Sequence, residues 1–153
     1  RRQYVTEWRR RIVAIGPMVP EAMRAAWILK SDYGQETRVI NMHTLKPIDK
    51  DAVVRAALDT GVIVTAEEHQ IGALAWRVSG LLTESPQLYG RPVITGAIGV
   101  KDRFGDSGAP WELVKDFEVS AEHIAQKALE LMGVKKGQTR EAVEESSEAY
   151  SPR

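Results

Sequence analysis

The sequence predicts an α/β domain of three layers, with helices on both faces of a mostly parallel sheet. Two observations predict it. Short apolar runs of strand length alternate along the chain with segments whose apolar residues recur at helical spacing, the pattern of βαβ units. The runs are apolar at successive positions rather than at alternate ones, as strands buried on both faces are. The 153 residues suit one domain, and a hydrophobic fraction of 43% is enough to build its core.

The elements follow in order. Arg11-Ile-Val-Ala-Ile-Gly16 reads as a buried strand, and Pro17 and Pro20 are placed to open a helix. Glu21 to Tyr33 carries Ala22, Met23, Ala25, Ala26, Ile28 and Leu29 as a broad apolar stripe, with Gly34 as a left-handed stop. Thr37–Met42 is the second strand. Asp49 caps a helix that runs through Leu58 to a stop at Gly61. Val62–Ala66 is the third strand, Ile71–Leu82 the third helix and Pro92–Thr95 the fourth strand. A short helix opens near Pro110 and runs to Phe117. The last helix is capped by Ser120 and passes Ile124, Ala128 and Leu129 to Gly133. Gln3–Glu7 is a candidate edge strand. Crossovers between parallel strands should be right-handed.

The domain is expected to span residues 1–133. From 134 to 153, Lys135, Lys136, Glu141, Glu144, Glu145 and Glu148 sit among serines, a composition that cannot bury enough surface to offset its ordering entropy. That segment is expected to be a flexible polar tail. The chain starts at Arg1 with a strand soon after, as an excised fragment would.

Composition narrows the function. Lysine plus arginine (21) equals aspartate plus glutamate (21), so no net charge favours nucleic acid or an anionic membrane. The early arginines (Arg1, Arg2, Arg9, Arg10, Arg11) read as a solvated strand edge. With no cysteine, disulfides, thiolate zinc sites and cysteine nucleophiles are excluded. No apolar run approaches the roughly 20 residues that span a bilayer, and no signal peptide is visible, so a cytoplasmic location is expected.

Sites in open parallel sheets form at the carboxyl ends of strands. Three loops qualify: Gly16-Pro-Met-Val19, Glu67-Glu-His-Gln-Ile-Gly72 and Lys101-Asp-Arg-Phe-Gly-Asp-Ser-Gly108. A carboxylate beside histidine in Glu67-Glu68-His69 could act as acid, base or metal ligand. The simpler reading, a hydrogen-bonding role toward loop backbone or a partner domain, is preferred. His43 has a weaker claim, and His123, in the first turn of the last helix, is expected in solvent. Gly105-Asp-Ser-Gly-Ala-Pro110 looks like a serine-protease nucleophile loop, but that reading fails. The chain is α/β and lacks the histidine and aspartate loop contexts, and the spacing around Ser107 does not fit a hydrolase elbow. Ser107 instead helps set up the next helix. No phosphate-binding glycine loop is present. Trp27 and Trp76 lie on helices; if exposed together, they would mark a partner surface.

Several segments together resemble the C-terminal domain of transketolases, above all of the split type made from two subunits. They are Ile15-Gly-Pro-Met-Val-Pro-Glu-Ala22, Arg38-Val-Ile-Asn-Met-His-Thr-Leu-Lys-Pro-Ile-Asp49, Val62-Ile-Val-Thr-Ala-Glu-Glu-His69, Ile98-Gly-Val-Lys-Asp-Arg-Phe-Gly-Asp-Ser-Gly108 and Ser120-Ala-Glu-His-Ile124. The resemblance covers residues 9–132. It implies a sheet of about five strands with one antiparallel edge, following a pyrimidine-binding domain in a larger enzyme. It implies that thiamine diphosphate and Mg2+ are held between the pyrimidine-binding and diphosphate-binding domains or subunit. The Gly-Asp-Gly motif of that site is absent here. The C-terminal domain then has no catalytic, cofactor-binding or metal-binding residue; it supports a homodimer, and Glu68, His69, Arg103 and Asp106 become candidate interface residues. Ala73 and Ala75 stand where the family often has glycine, with bulky Trp76 following. The implied function is a non-catalytic assembly domain of an enzyme that transfers a two-carbon ketol unit between sugar phosphates. The alternatives are the C-terminal domain of a 2-oxoacid dehydrogenase beta subunit and a stand-alone regulatory module binding a small ligand at Glu67–Gly72.

Overall fold

In a computed structural model, which describes residues 10–101 and 109–135, the chain forms four strands and five α-helices among the described residues. The strands are β1 (Arg10–Ala14), β2 (Thr37–Asn41), β3 (Val62–Gln70) and β4 (Ile94–Val100). The helices are α1 (Met18–Tyr33), α2 (Lys50–Thr60), α3 (Leu74–Glu84), α4 (Pro110–Asp116) and α5 (Ala121–Lys135). One turn of 3-10 helix, Pro86–Leu88, precedes β4.

All pairings are parallel, in the order β2-β1-β3-β4. Two apolar cores lie on opposite faces of the sheet. On one face, Ile12, Val64, Ala66 and Ile98 meet Met18, Ala22 and Leu29 of α1 and Ile124 and Ala128 of α5. On the other, Val13 and Ile63 meet Val53 and Ala57 of α2 and Leu74 and Val78 of α3. Adjacent strand residues thus feed opposite cores, which explains the unbroken apolar runs. The three-layer α/β/α class expected from the sequence is what the chain adopts.

Local signals account for the ends. Asp49 accepts the Ala52 amide at 2.9 Å and so starts α2. Gly34 and Gly61 close α1 and α2 at φ 61° and 64°.

Five expectations need correction. The described sheet has four strands rather than about five, and none of them is antiparallel; Gln3–Glu7 lies outside the described residues. Glu67-Glu68-His69 is not loop but the end of β3, which pairs again with β4 at Gln70↔Val100 after an irregularity past Ala66. The backbone ladder carries this polar run, which side-chain pattern alone reads as a loop. β4 begins at Ile94 and takes in Gly96–Gly99, held by its pairing with β3, and at the two glycines the neighbours leave little room for a side chain. A Cβ on Gly96 would lie 2.9 Å from Leu131 Cδ1, and one on Gly99 2.8 Å from Ile71 Cγ1. α3 starts at Leu74 rather than Ile71, and α5 runs through Gly133 to Lys135. Finally, Arg11 is no solvated edge residue. Its side chain is 3% exposed, and its Nη2 donates to Asp59 Oδ2 at 2.7 Å, joining β1 to the end of α2.

Candidate functional site

The chain passes from β1 leftward to β2 by way of α1, then rightward through α2 and α3 to β3 and β4, so the order reverses between β1 and β3. In open α/β sheets the crevice beyond the carboxyl ends of such a strand pair is where ligands bind. Here it lies between the Gly16–Pro17 turn and the end of β3.

Glu67, near the end of β3, is fully buried. Its carboxylate closes on the start of α3. Oε1 accepts from the Gly72 amide at 3.0 Å and the Ala75 amide at 3.3 Å, and Oε2 accepts from the Leu74 amide at 2.8 Å. Ala73, at the cap position of α3, has no side chain that can do this. The carboxylate therefore satisfies amides left open at a helix start and places negative charge at the positive end of the helix dipole. It is also the position an anionic ligand would take at a helix N-terminus, and the protein fills it with its own side chain.

His69 and Glu68 project outward at the end of the same strand, and both are exposed. His69 Nδ1 sits 3.2 Å from Glu67 Oε2, so the buried carboxylate orients the imidazole. Gly99 packs under the pair; a Cβ there would come within 3.1 Å of both Glu67 Cγ and the His69 carbonyl oxygen. Glu67, His69 and Gly99 form one unit, built from β3, β4 and α3.

A second carboxylate does the same work across the fold. Glu21 of α1 accepts the Ala121 amide at the start of α5 at 2.8 Å and takes Arg24 Nη1 at 3.2 Å with its other oxygen. Ser120 directly precedes α5, and its Oγ lies 2.7 Å from His123 Nδ1, so His123 is half-buried rather than free in solvent. The Ser120 hydroxyl holds the Glu122 carboxyl below its usual value, helped by the Glu122 backbone amide and by Arg24 and Lys115.

Of the residues singled out in the sequence, the structure brings Glu67 and His69 into contact and leaves Glu68 and His43 exposed. Arg103, Asp106 and Ser107 lie outside the described residues. Trp27 and Trp76 are 68% and 72% exposed, but they sit on α1 and α3, which cover opposite faces of the sheet, and so form no joint surface. Among the described residues, no group of three or more histidines or acidic residues could hold a metal ion, and no helix is long and apolar enough to cross a membrane. Sequence reasoning missed the capping roles of Glu21 and Glu67. The signal that could have found Glu67 was a helix opening on Ala73-Leu-Ala with no local cap.

Taken together, these features define an open parallel α/β domain in which a buried carboxylate at the end of β3 caps the start of α3. The chain belongs to the transketolase C-terminal domain family, whose pattern matches residues 10–124. It is 37% identical over 122 residues to a 6-deoxy-6-sulfo-D-fructose transketolase subunit of Clostridium sp., covering 78% of this chain and 36% of that one. It is 35% identical over 120 residues to the 1-deoxy-D-xylulose-5-phosphate synthase of Heliobacterium modesticaldum, covering 78% of this chain but 18% of the synthase. Among solved structures it is similar to a split gene transketolase described as an inactive beta4 tetramer. The TM-score is 0.71 and the identity 38%, over 81% of this chain and 40% of that one. The chain thus spans well under half the length of these relatives.

Proposed function

We propose that this chain is the non-catalytic C-terminal domain of a thiamine diphosphate-dependent enzyme that transfers a two-carbon ketol unit between sugar phosphates, and that it serves assembly. The observation that carries the reading is the Glu67 cap. The start of α3, where an anion could bind, is occupied by the chain's own carboxylate. A domain closed in this way has a packing role, and the chemistry falls to the pyrimidine-binding and diphosphate-binding domains or subunit. Thiamine diphosphate and Mg2+ belong there in this reading. Glu68 and His69, exposed at the carboxyl end of β3, face the neighbouring domain; Arg103 and Asp106, outside the described residues, are the other candidate interface residues. The assembled enzyme is cytoplasmic and built around a homodimer.

The test is ketol transfer from xylulose 5-phosphate to ribose 5-phosphate by the parent enzyme reconstituted with and without this chain. Activity that requires the chain, while the chain alone is silent, is the expected result. Transfer by the pure chain alone would sink the proposal. The 35% identity to a 1-deoxy-D-xylulose-5-phosphate synthase favours one second reading, a parent that makes that product. Formation of 1-deoxy-D-xylulose 5-phosphate by the same reconstituted enzyme would select it.

A further inference from the structure

The outer face of α3 carries a combination that the chain alone does not explain. Trp76 is 72% exposed, the most exposed large apolar side chain among the described residues. One turn on, Gly80 stands in mid-helix, where glycine is disfavoured. A Cβ there would meet nothing within 4 Å, so no contact inside the chain requires it to be glycine. Arg77 and Glu84 on the same face are exposed, and neither they nor Lys50 beside them has an ion-pair partner among the described residues. An open groove of about 420 Å³ runs along this flank, floored by Pro47, Ile48 and Leu81.

The order of these residues on the helix points to one occupant. Successive residues turn by about 100°, so Gly80 lies at the centre of the exposed stripe. Trp76 and Thr83 flank it on one side, Arg77 and Glu84 on the other. A twofold axis through Gly80, perpendicular to the plane of two antiparallel α3 helices, keeps each side on its own side and reverses direction along the helix. Trp76 then meets the second copy's Thr83, whose hydroxyl is turned back onto the Ser79 carbonyl at 2.9 Å and leaves its methyl outward. Arg77 meets the second copy's Glu84, and the converse pair forms by symmetry. The pattern is self-complementary in charge and shape, as an isologous interface requires. Glycine at the centre lets the two backbones approach.

We infer that the α3 face of Trp76, Arg77, Gly80, Thr83 and Glu84 is a twofold interface that takes the same face of a second copy of this chain. The inference deepens the assembly reading but is read in mass rather than turnover, so the two can fail separately.

The experiment is sedimentation equilibrium on the full 153-residue chain. A concentration-dependent dimer is expected. Arg77→Glu and Glu84→Arg should each weaken it by about tenfold or more, because each single change sets like charges opposite one another twice over. The double variant should return to within about threefold of the parent. Gly80→Leu should leave a folded monomer by circular dichroism, since the position is open in the single chain. A monomer at every concentration, a dimer untouched by Gly80→Leu, or a double variant no tighter than the singles would overturn the inference.

Discussion

Replacing Glu67 by glutamine tests the central feature of the site with one atom changed. The carboxylate takes three backbone amides and has no contact with water. A glutamine keeps one acceptor oxygen and sets an NH2 group where the other stood, so at least one buried amide then faces a donor. A buried hydrogen bond to a charged group contributes about 1.5–3 kcal/mol, and loss of the charge at the helix start costs about 0.3–1 kcal/mol more. Relief of the cost of burying a carboxylate offsets part of this. The net loss should be about 2–3 kcal/mol. For a domain of this size each kcal/mol moves the melting temperature by roughly 3–4 °C, so thermal unfolding followed at 222 nm should fall by about 6–12 °C. Glu68→Gln, exposed one residue along, is the control and should stay within about 0.5 kcal/mol of the parent. Equal melting temperatures for Glu67→Gln and Glu68→Gln would refute the capping argument.

Three further outcomes follow from contacts elsewhere. Gly99→Ala puts a methyl 2.8 Å from Ile71 Cγ1 and 3.1 Å from the His69 carbonyl oxygen; urea unfolding should show a loss of about 1–3 kcal/mol. Glu21→Ala frees the Ala121 amide at the start of α5; it should cost about 1–2 kcal/mol and speed hydrogen exchange in the first turn of α5 before other helices. Ser120→Ala removes the largest cause of the lowered Glu122 carboxyl, so NMR titration should show that group returning upward. A carboxyl lowered by folding adds stability above its unfolded value, and that stability is lost as pH falls through the folded value. The variant should therefore lose a little stability at neutral pH and unfold with a shallower acid limb.

Much of the architecture was legible because its signals are local. Asp49 before α2, Gly34 and Gly61 after helices, and double-sided apolar runs at Ile12–Ala14 and Val62–Ala66 each follow from neighbours in sequence. What was not legible depends on partners far along the chain. Glu67-Glu68-His69 reads as loop because its side chains are polar, yet β4 supplies the pairing that makes it strand. The fourth strand reads as ending at Thr95, while in the structure it continues through Gly96 and Gly99, where Leu131 and Ile71 crowd out a side chain. Arg11 reads as a surface cation until Asp59 is placed beside it. The site was legible as a cluster, and the preferred backbone role for its carboxylate was the one found. The geometry of that role was not, since it rests on where α3 begins.

The reach of Glu21 to Ala121 has a consequence for how the domain can be divided. The two residues are separated by 100 positions in the chain. The instruction that starts the last helix is thus written in the first one. A chain that emerges from its N-terminus can complete α1, β1 and β2 early, but the first turn of α5 gains its acceptor only by docking on α1. Conversely, a shortened chain beginning after α1 would keep every residue of α5 and still lose its beginning. The layers are therefore not stackable βα pieces that can be added or trimmed one at a time. The domain closes on itself end to end, and a boundary drawn inside it would open both ends at once.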